Sequence, residues 1–318
     1  MTALERVGFI GLGGMGRGLV KNLLAKGVAV TAYDLNLEAV AIAKSQGATE
    51  AGGLRDIGEC RIIMICVNAA EDVEALLTGP DGLLARPAPN LVVVDHTTGS
   101  PQMVDKLDRL VRAAGGRYAE APMTRTPKHA DAGKVNVLYG GEADLLGELR
   151  PYFERYAENI FHIGPLGHAI RLKLIHNYIA FANVAAWCEG FALAAKDGLD
   201  LKQLITIISA AGGKSGMLDL YGQATLDGDF TPLMSLANAR KDVRYYARWL
   251  EDAGLPGFMA DAVHQTYRQA ALLGHDGESC TAVIKAYEAV TGVEARVRPQ
   301  DRNQGGSMLY DLRNGRTK

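Results

Sequence analysis

Apolar and polar residues change rhythm along this 318-residue chain. The run Val7 to Ile10 is uniformly apolar, Met15 to Ala25 carries apolar residues three and four apart, and Val28 to Tyr33 is extended and apolar up to Asp34. Short apolar runs bounded by turn residues read as buried strands, and the spacing of three and four reads as a helix with one buried face. The same alternation continues to about Ile163, with further strands expected at Arg61 to Cys66, Leu91 to Asp95, Gly116 to Glu120, Val135 to Tyr139 and Asn159 to Ile163. After Gly164-Pro165 the period becomes helical throughout. His168 to Lys196 is apolar on every side, which is the pattern of a buried helix. Beyond Leu199, helical segments are separated by glycine turns at Gly212-Gly213, Gly222, Gly254 and Gly274.

Strands alternating with helices imply right-handed crossovers and a mostly parallel sheet. The expected fold class is therefore α/β: a Rossmann-type N-terminal sheet, followed by an all-α C-terminal domain built on a long interdomain helix. Domain boundaries are expected at 1–165 and 166–297, with a polar tail over 298–318. In such sheets ligands sit at the carboxyl ends of the strands. Here those ends are Gly11 to Gly16, Asn68 to Ala70, His96 to Gly99 and Ala121 to Ala130.

The first of these ends carries Gly11, Gly13 and Gly16 in the spacing G-x-G-x-x-G. The first glycine permits the tight turn, the second lets backbone approach a pyrophosphate, and the third lets helix pack on strand. The helix that follows turns free N–H groups and a positive dipole end toward the phosphates. Alone, the glycine spacing could be an accidental turn. Strand, turn, helix, strand and a closing acid together make it a dinucleotide site. Asp34 suits the adenosine ribose diol and repels a 2′-phosphate, and no Lys or Arg lies between it and Lys44. The expected cofactor is NAD.

Bulk composition narrows the classes. Apolar content is 48%, charged content 22% and net charge −2, so no electrostatic case exists for nucleic acid or an anionic membrane. Cys60, Cys66, Cys188 and Cys280 are dispersed, as core thiols in a reducing cytoplasm would be, and no metal site is expected. The N-terminus lacks a signal-peptide layout, and no uncharged apolar run of about 18 residues is present, so no membrane span is expected.

Chemistry concentrates near the start of the long helix. Lys173, His176 and Asn177 are three and four residues apart and share one face. Burying an ammonium is costly without a purpose, and desolvation lowers a lysine pKa toward the range useful for proton transfer. The bland alternative is a helix end on which Arg171, Lys173 and His176 are simply solvated. The opening GFIGLGGMGRGLVKNLLAKG, the strand end DHTTGSP, EAPMTRTPKHADAGKVNVLYGG, KLIHN and MSLANARKD together resemble the β-hydroxyacid dehydrogenase family, over about Val7 to Tyr267. That family includes 3-hydroxyisobutyrate dehydrogenases, tartronate semialdehyde reductases, sulfolactaldehyde reductases and, more distantly, 6-phosphogluconate dehydrogenases.

The resemblance implies roles. Lys173 matches the family's lysine that handles the proton of the substrate oxygen, and Asn177 matches the asparagine that positions substrate. His176 stands where most small-acid members have another asparagine, and the His-Asn pair is similar to the phosphogluconate enzymes. The cofactor is expected against Gly11, Leu12, Gly13, Gly14, Met15 and Gly16, with Asp34, Val67, Asn68 and Thr97. Val67 replaces a proline common in relatives. Lys241 matches a lysine of the second domain that closes over the cofactor, the alternative being a surface pair with Asp242. Phe230 corresponds to an aromatic of the same cleft. The family's Ser-Gly-Gly carboxylate site is replaced by Thr124-Arg125-Thr126. The arginine makes this segment similar to the sulfolactaldehyde reductases, in which it holds a sulfonate, although Pro127-Lys128-His129 matches no branch. In the alternative, Arg125 turns away to an acid such as Glu120.

The expected activity is NAD(H)-dependent interconversion of a small anionic β-hydroxy acid or sulfonate and its semialdehyde. Lys173 is the acid/base and Arg125 receives the distal anion. Rivals are 3-hydroxyisobutyrate or tartronate semialdehyde activity, then an imine reductase, which usually lacks the lysine, then a non-catalytic NAD-binding module. Phosphogluconate activity is disfavoured because Ala180 stands where those enzymes place an acid. The apolar helical half suggests a homodimer or homotetramer.

Overall fold

The computed structural model describes residues 4–297 together with Gln300 and Arg302. The tail expected over 298–318 otherwise lies outside the described residues. The chain separates into two compact units, Met1–Lys173 and Leu174–Lys318.

The first unit alternates strand and helix as the apolar rhythm dictates. Its elements are β1 (Val7–Ile10), α1 (Gly16–Ala25), β2 (Val30–Tyr33), α2 (Leu37–Ser45), β3 (Thr49–Glu50), α3 (Leu54–Gly58), β4 (Ile62–Ile65) and α4 (Ala70–Thr78). They continue with β5 (Val92–Asp95), α5 (Pro101–Ala113), β6 (Arg117–Glu120), β7 (Met123–Thr124), α6 (Pro127–Asp131), β8 (Val135–Gly140), α7 (Ala143–Phe153) and β9 (Ala157–Gly164). The sheet order is β3-β2-β1-β4-β5-β6-β8-β7, with β9 also on β8. The strands from β3 to β6 are parallel, whereas β8 runs antiparallel to β6 and β7 and parallel to β9. This is the Rossmann-type arrangement anticipated from the alternation. Central strands are apolar on both faces because helices cover both. Phe9, Ile62, Ile63, Val92 and Val93 are fully buried, each worth about 1.5–3 kcal/mol on leaving water. Local chemistry sets the helix starts: Asn36 caps α2 through its side chain, and Ser100 caps α5 with Pro101 in the first turn.

The helix α8 (His168–Lys196) runs through the boundary between the units, and the second unit is helical. Its further elements are α9 (Leu201–Ala210), α10 (Gly216–Asp227), α11 (Leu236–Asp252), α12 (Phe258–Leu272), a 3-10 turn at Cys280–Val283 and α13 (Ile284–Thr291). Phe181, Val184, Cys188 and Phe191 of α8 pack in this unit's core with Leu236, Val243 and Tyr267. One expectation for α8 needs correction. The helix is not buried all round: Leu172, Ile175, Ile179 and Leu193 are exposed, so among the described residues one apolar stripe is left uncovered. It is also long and apolar enough to cross a membrane by length and composition, with 44% of its most apolar window buried within the chain. Fully buried Val184, Cys188 and Phe191 give it the packing of a core helix.

Candidate active site

At the end of β1 the chain turns through Gly11 at φ 94°, a conformation that favours glycine. A Cβ on Gly11 would stand 2.2 Å from the Cys66 carbonyl oxygen, and one on Gly16 would stand 1.9 Å from the carbonyl oxygen of Gly11. These two glycines are demanded by protein backbone. Gly13 differs: a Cβ there would meet no protein atom within 4 Å. Helix α1 follows with no side-chain cap and no acidic residue in its first turn, so its leading N–H groups and dipole are left for an anion. Leu12 faces the core and Met15 packs at its edge, whereas Gly14 lies 3.4 Å, at its would-be Cβ, from Pro127.

Asp34 follows β2. Its Oδ2 accepts a hydrogen bond from the Leu12 N–H at 2.6 Å, and its Oδ1 accepts one from the Asn36 N–H at 2.7 Å. The acid thus holds the glycine turn against the end of β2 while its remaining lone pairs can receive a diol. The neighbouring strand ends are linked. Val67 N–H donates to Thr97 Oγ1 at 3.2 Å, Thr97 N–H donates to Asp95 Oδ1 at 2.8 Å, and the Tyr118 hydroxyl donates to Asp95 Oδ2 at 2.7 Å. Thr97 is buried and Asn68 exposed. Beneath them His96 bonds the Ala121 carbonyl oxygen and the Tyr156 hydroxyl. Burial holds its imidazole down at about 4. Gly11, Val67 and Thr97 thereby form a connected rim over β1, β4 and β5. Burial also pushes the Cys66 and Cys280 thiols up to about 12, leaving them poor nucleophiles.

The segment Thr124-Arg125-Thr126 leads into α6, which docks on α1. A Cβ on Gly18 would stand 2.5 Å from the Ala130 backbone, and the Asn22 amide donates to the Ala130 and Asp131 carbonyl oxygens. This packing and the Gly14–Pro127 approach bring the segment beside the glycine turn. Thr124 Oγ1 accepts from the Asn136 amide at 3.0 Å, and that amide's oxygen accepts from Asn159 at 2.9 Å. Thr126 Oγ1 is 2.8 Å from His129 Nδ1. Arg125 stands at φ 80°, so its backbone keeps the bend suited to the glycine it replaces. Its guanidinium is engaged with the Glu158 carboxylate at 2.5 Å and donates to the Lys134 carbonyl oxygen at 2.7 Å. Of the two readings of Arg125, an open anion receptor or a partner of an acid, the geometry has the second, and the acid is Glu158. Glu120 is engaged elsewhere.

Glu120, at the end of β6, is the residue that reading the sequence missed. Its two carboxylate oxygens accept the N–H groups of Ala169 and Ile170 at 2.9 and 3.1 Å, capping the start of α8 from another element. Burial raises its pKa to about 7, the backbone donors opposing the rise. Lys173 follows one turn later and is 8% exposed. The solvated-lysine alternative therefore does not describe it. Asn177 lies a further turn along α8, 4% exposed.

In the helical unit Asn177 Nδ2 donates to Asp242 Oδ2 at 2.6 Å, and Lys241 Nζ lies 3.0 Å from Asp242 Oδ1. His176, exposed, places Nδ1 2.9 Å from Asn177 Oδ1. Asp242 is 3% exposed and holds the asparagine and the lysine at once. Local sequence aims α11: Ser235 caps it through Asn238 N–H, and Leu236 N–H bonds the Glu278 carbonyl oxygen. Tyr178 of α8 and Tyr246 of α11 stack with centroids 4.2 Å apart, which fixes the register of the two helices. Asp242 was visible only as the neighbour of Lys241. Phe230 is engaged by other cations, with Lys285 Nζ at 4.5 Å and the Arg296 guanidinium at 5.0 Å from its ring.

A strand-end glycine turn and an acid after β2 are the parts of a dinucleotide site, and a buried lysine stands on α8. Residues 6–164 match the family model described as the NAD binding domain of 6-phosphogluconate dehydrogenase. Residues 167–287 match that of the NAD-binding of NADP-dependent 3-hydroxyisobutyrate dehydrogenase. The chain is 28% identical over 290 residues to the 2-(hydroxymethyl)glutarate dehydrogenase of Eubacterium barkeri, covering 91% of this chain and 96% of that protein. It is 29% identical over 284 residues to the cytokine-like nuclear factor N-PAC of Pongo abelii, covering 89% of this chain and spanning about half, 51%, of that relative. A solved 3-hydroxyisobutyrate dehydrogenase from Salmonella typhimurium superposes with a TM-score of 0.81 at 27% identity, covering 89% of this chain and 99% of that one. The chain belongs to the β-hydroxyacid dehydrogenase family. It is a dehydrogenase acting on a CH–OH group, and its cofactor is a nicotinamide dinucleotide.

Proposed function

We propose that the protein interconverts a small acidic β-hydroxy compound and its semialdehyde, with Lys173 as acid/base and NAD(H) preferred over NADP(H). The observation that carries this reading is the burial of Lys173 one helical turn before Asn177, whose amide is held by Asp242. The bound cofactor's contribution is hydride transfer at the substrate carbon. Lys173 gives its ammonium proton to the oxygen that gains charge as the carbonyl is reduced, and recovers it in the oxidising direction. Asn177 spends one amide hydrogen on Asp242, and the second is available to orient that oxygen. Asp34 accounts for the preference for NAD, because a 2′-phosphate would meet its carboxylate.

The distal anion falls to Thr124, Arg125 and Thr126. A sulfonate, as in the sulfolactaldehyde reductases, is the first candidate, and it requires Arg125 to exchange Glu158 for substrate. The Arg125–Glu158 pair favours a second reading, in which a plain carboxylate is received by hydroxyls and backbone. Relatives named for hydroxymethylglutarate and 3-hydroxyisobutyrate suit that second reading. The exposed stripe of α8, with Ile175, Ile179 and Leu193, is the reason to place a second copy against this chain, which sedimentation would reveal. The deciding experiment is NADH and NADPH oxidation against sulfolactaldehyde and the methylmalonate, succinate and tartronate semialdehydes, with wild type and Arg125→Gly. A sulfonate site raises KM for sulfolactaldehyde in the variant far more than for the carboxylates. Equal effects leave the plain carboxylate reading, and no turnover with any of them overturns the proposal.

A further inference from the structure

We propose that the helical unit carries a second anion-binding site, separate from the Lys173 machinery, in the cavity between α11 and α12, and that it binds a small polyanion through Arg244, Arg248 and His264. The cavity measures about 720 Å³, within the range of metabolite sites. Arg244 and Arg248 lie one turn apart on α11 and His264 enters from α12, so forked donors and an imidazole line the same space. Like charges one turn apart disfavour a helix, and an occupant of opposite sign removes that cost. Arg240, one turn before Arg244, already has a carboxylate partner in Asp276. Arg244 does not end in a complete set of bonds: its Nε is buried with no hydrogen-bond partner among the described residues.

The guanidiniums around the cavity are registered by its histidine. Burial, then the guanidiniums of Arg244, Arg240 and Arg268, hold the His264 imidazole below its ordinary value, and Asp261 alone pulls it upward. Glu251 and Asp261 also line the cavity. Asp261 lies in the first turn of α12 with its carboxylate over Gly257, where the helix dipole favours it. Leu255, Pro256 and Ala247 supply an apolar wall for a carbon skeleton. The chemistry fits a phosphate ester or a polycarboxylate.

The test is calorimetric titration of the NADH-saturated full chain with inorganic pyrophosphate and, separately, citrate at fixed ionic strength. Saturation with NADH removes the glycine turn as a competing pyrophosphate site. The expected result is saturable binding of one probe, weakened about tenfold or more in Arg248→Gln, the loss of a charged hydrogen bond, while turnover is unchanged. The His264 imidazole, followed by proton NMR, should titrate at higher pH when the probe is bound. Preference for pyrophosphate assigns a phosphate ester, and preference for citrate a polycarboxylate. No saturable binding of either probe, or binding that neither Arg248→Gln nor His264→Gln weakens, overturns the proposal.

Discussion

The glycine turn of the first unit and the Asn177–Asp242–Lys241 chain of the second solve the same problem, holding polar groups in place, by different means. The turn is made from backbone. Gly11 and Gly16 are fixed because a carbonyl oxygen occupies the place of a side chain, at 2.2 and 1.9 Å from a would-be Cβ. The helical chain is made from side chains drawn from α8 and α11, with one carboxylate hydrogen-bonded by the Asn177 amide and ion-paired with Lys241. Backbone devices tolerate change wherever nothing presses on them. Side-chain devices fail when any one member is removed, because a buried partner is stranded.

The largest expected effect lies on α8 itself. Lys173→Ala should retain NADH binding, read by nucleotide fluorescence, and lose about a thousandfold in kcat, the scale of acid–base catalysis. Turnover within tenfold of wild type would separate the lysine from the chemistry. Within the turn, Gly16→Ala should cost about 3–5 kcal/mol in urea unfolding because backbone must move. Gly13→Ala should fold within about 0.5 kcal/mol of wild type, yet weaken NADH about tenfold. Equal stability losses at the two positions would erase the distinction between backbone-bound and ligand-facing glycines.

The side-chain device is broken most directly at its centre. Asp242→Ala leaves the Lys241 ammonium and the Asn177 amide without their shared acceptor, and should cost about 3 kcal/mol in unfolding free energy. Asp242→Asn keeps an oxygen for Asn177 and should recover part of kcat, but not the grip on Lys241. Equal kcat for the alanine and asparagine variants would remove Asp242 as a positioning residue.

This contrast also explains what could be read from the sequence. The glycine turn, Asp34 and the alternation of strands and helices follow from local spacing and were legible, whereas the order of strands in the sheet and the antiparallel placing of β8 were not. The Glu120 cap on Ala169 spans 49 residues and the Asn177–Asp242 bond spans 65, so no local pattern announces either. The replacement of a glycine by Arg125 was plain. Its partner Glu158 was not, because Thr124 and Glu158 are brought together only by the pairing of β7 and β9 on β8. The composition of α8 predicted burial on all sides, but composition does not say which faces other helices cover, and Ile179 remains 54% exposed.

The smallest expected effect concerns Glu120, a side-chain device inside the backbone-built unit. Its carboxyl is raised to about 7, so between pH 4.5 and 7 the folded chain keeps a proton that the unfolded chain has released. That contribution to stability is complete below pH 4.5 and is lost as pH rises through 7. His96 has the opposite sign. Its imidazole is lowered to about 4, so between pH 4 and 6.5 the unfolded chain holds the extra proton and stability rises with pH. The two slopes oppose each other between pH 4.5 and 6.5, so the contributions of these two groups nearly cancel there. Glu120→Gln keeps an oxygen acceptor for the α8 amides and removes the titration. The urea unfolding free energy of this variant should then rise more steeply with pH than that of the wild type between pH 4.5 and 6.5, by up to roughly 1.4 kcal/mol per pH unit, because the opposing Glu120 slope is gone. A variant with the same slope as the wild type would mean that Glu120 is already ionised at pH 4.5. The cap on α8 would then be a full carboxylate, held by its backbone donors against the cost of burial.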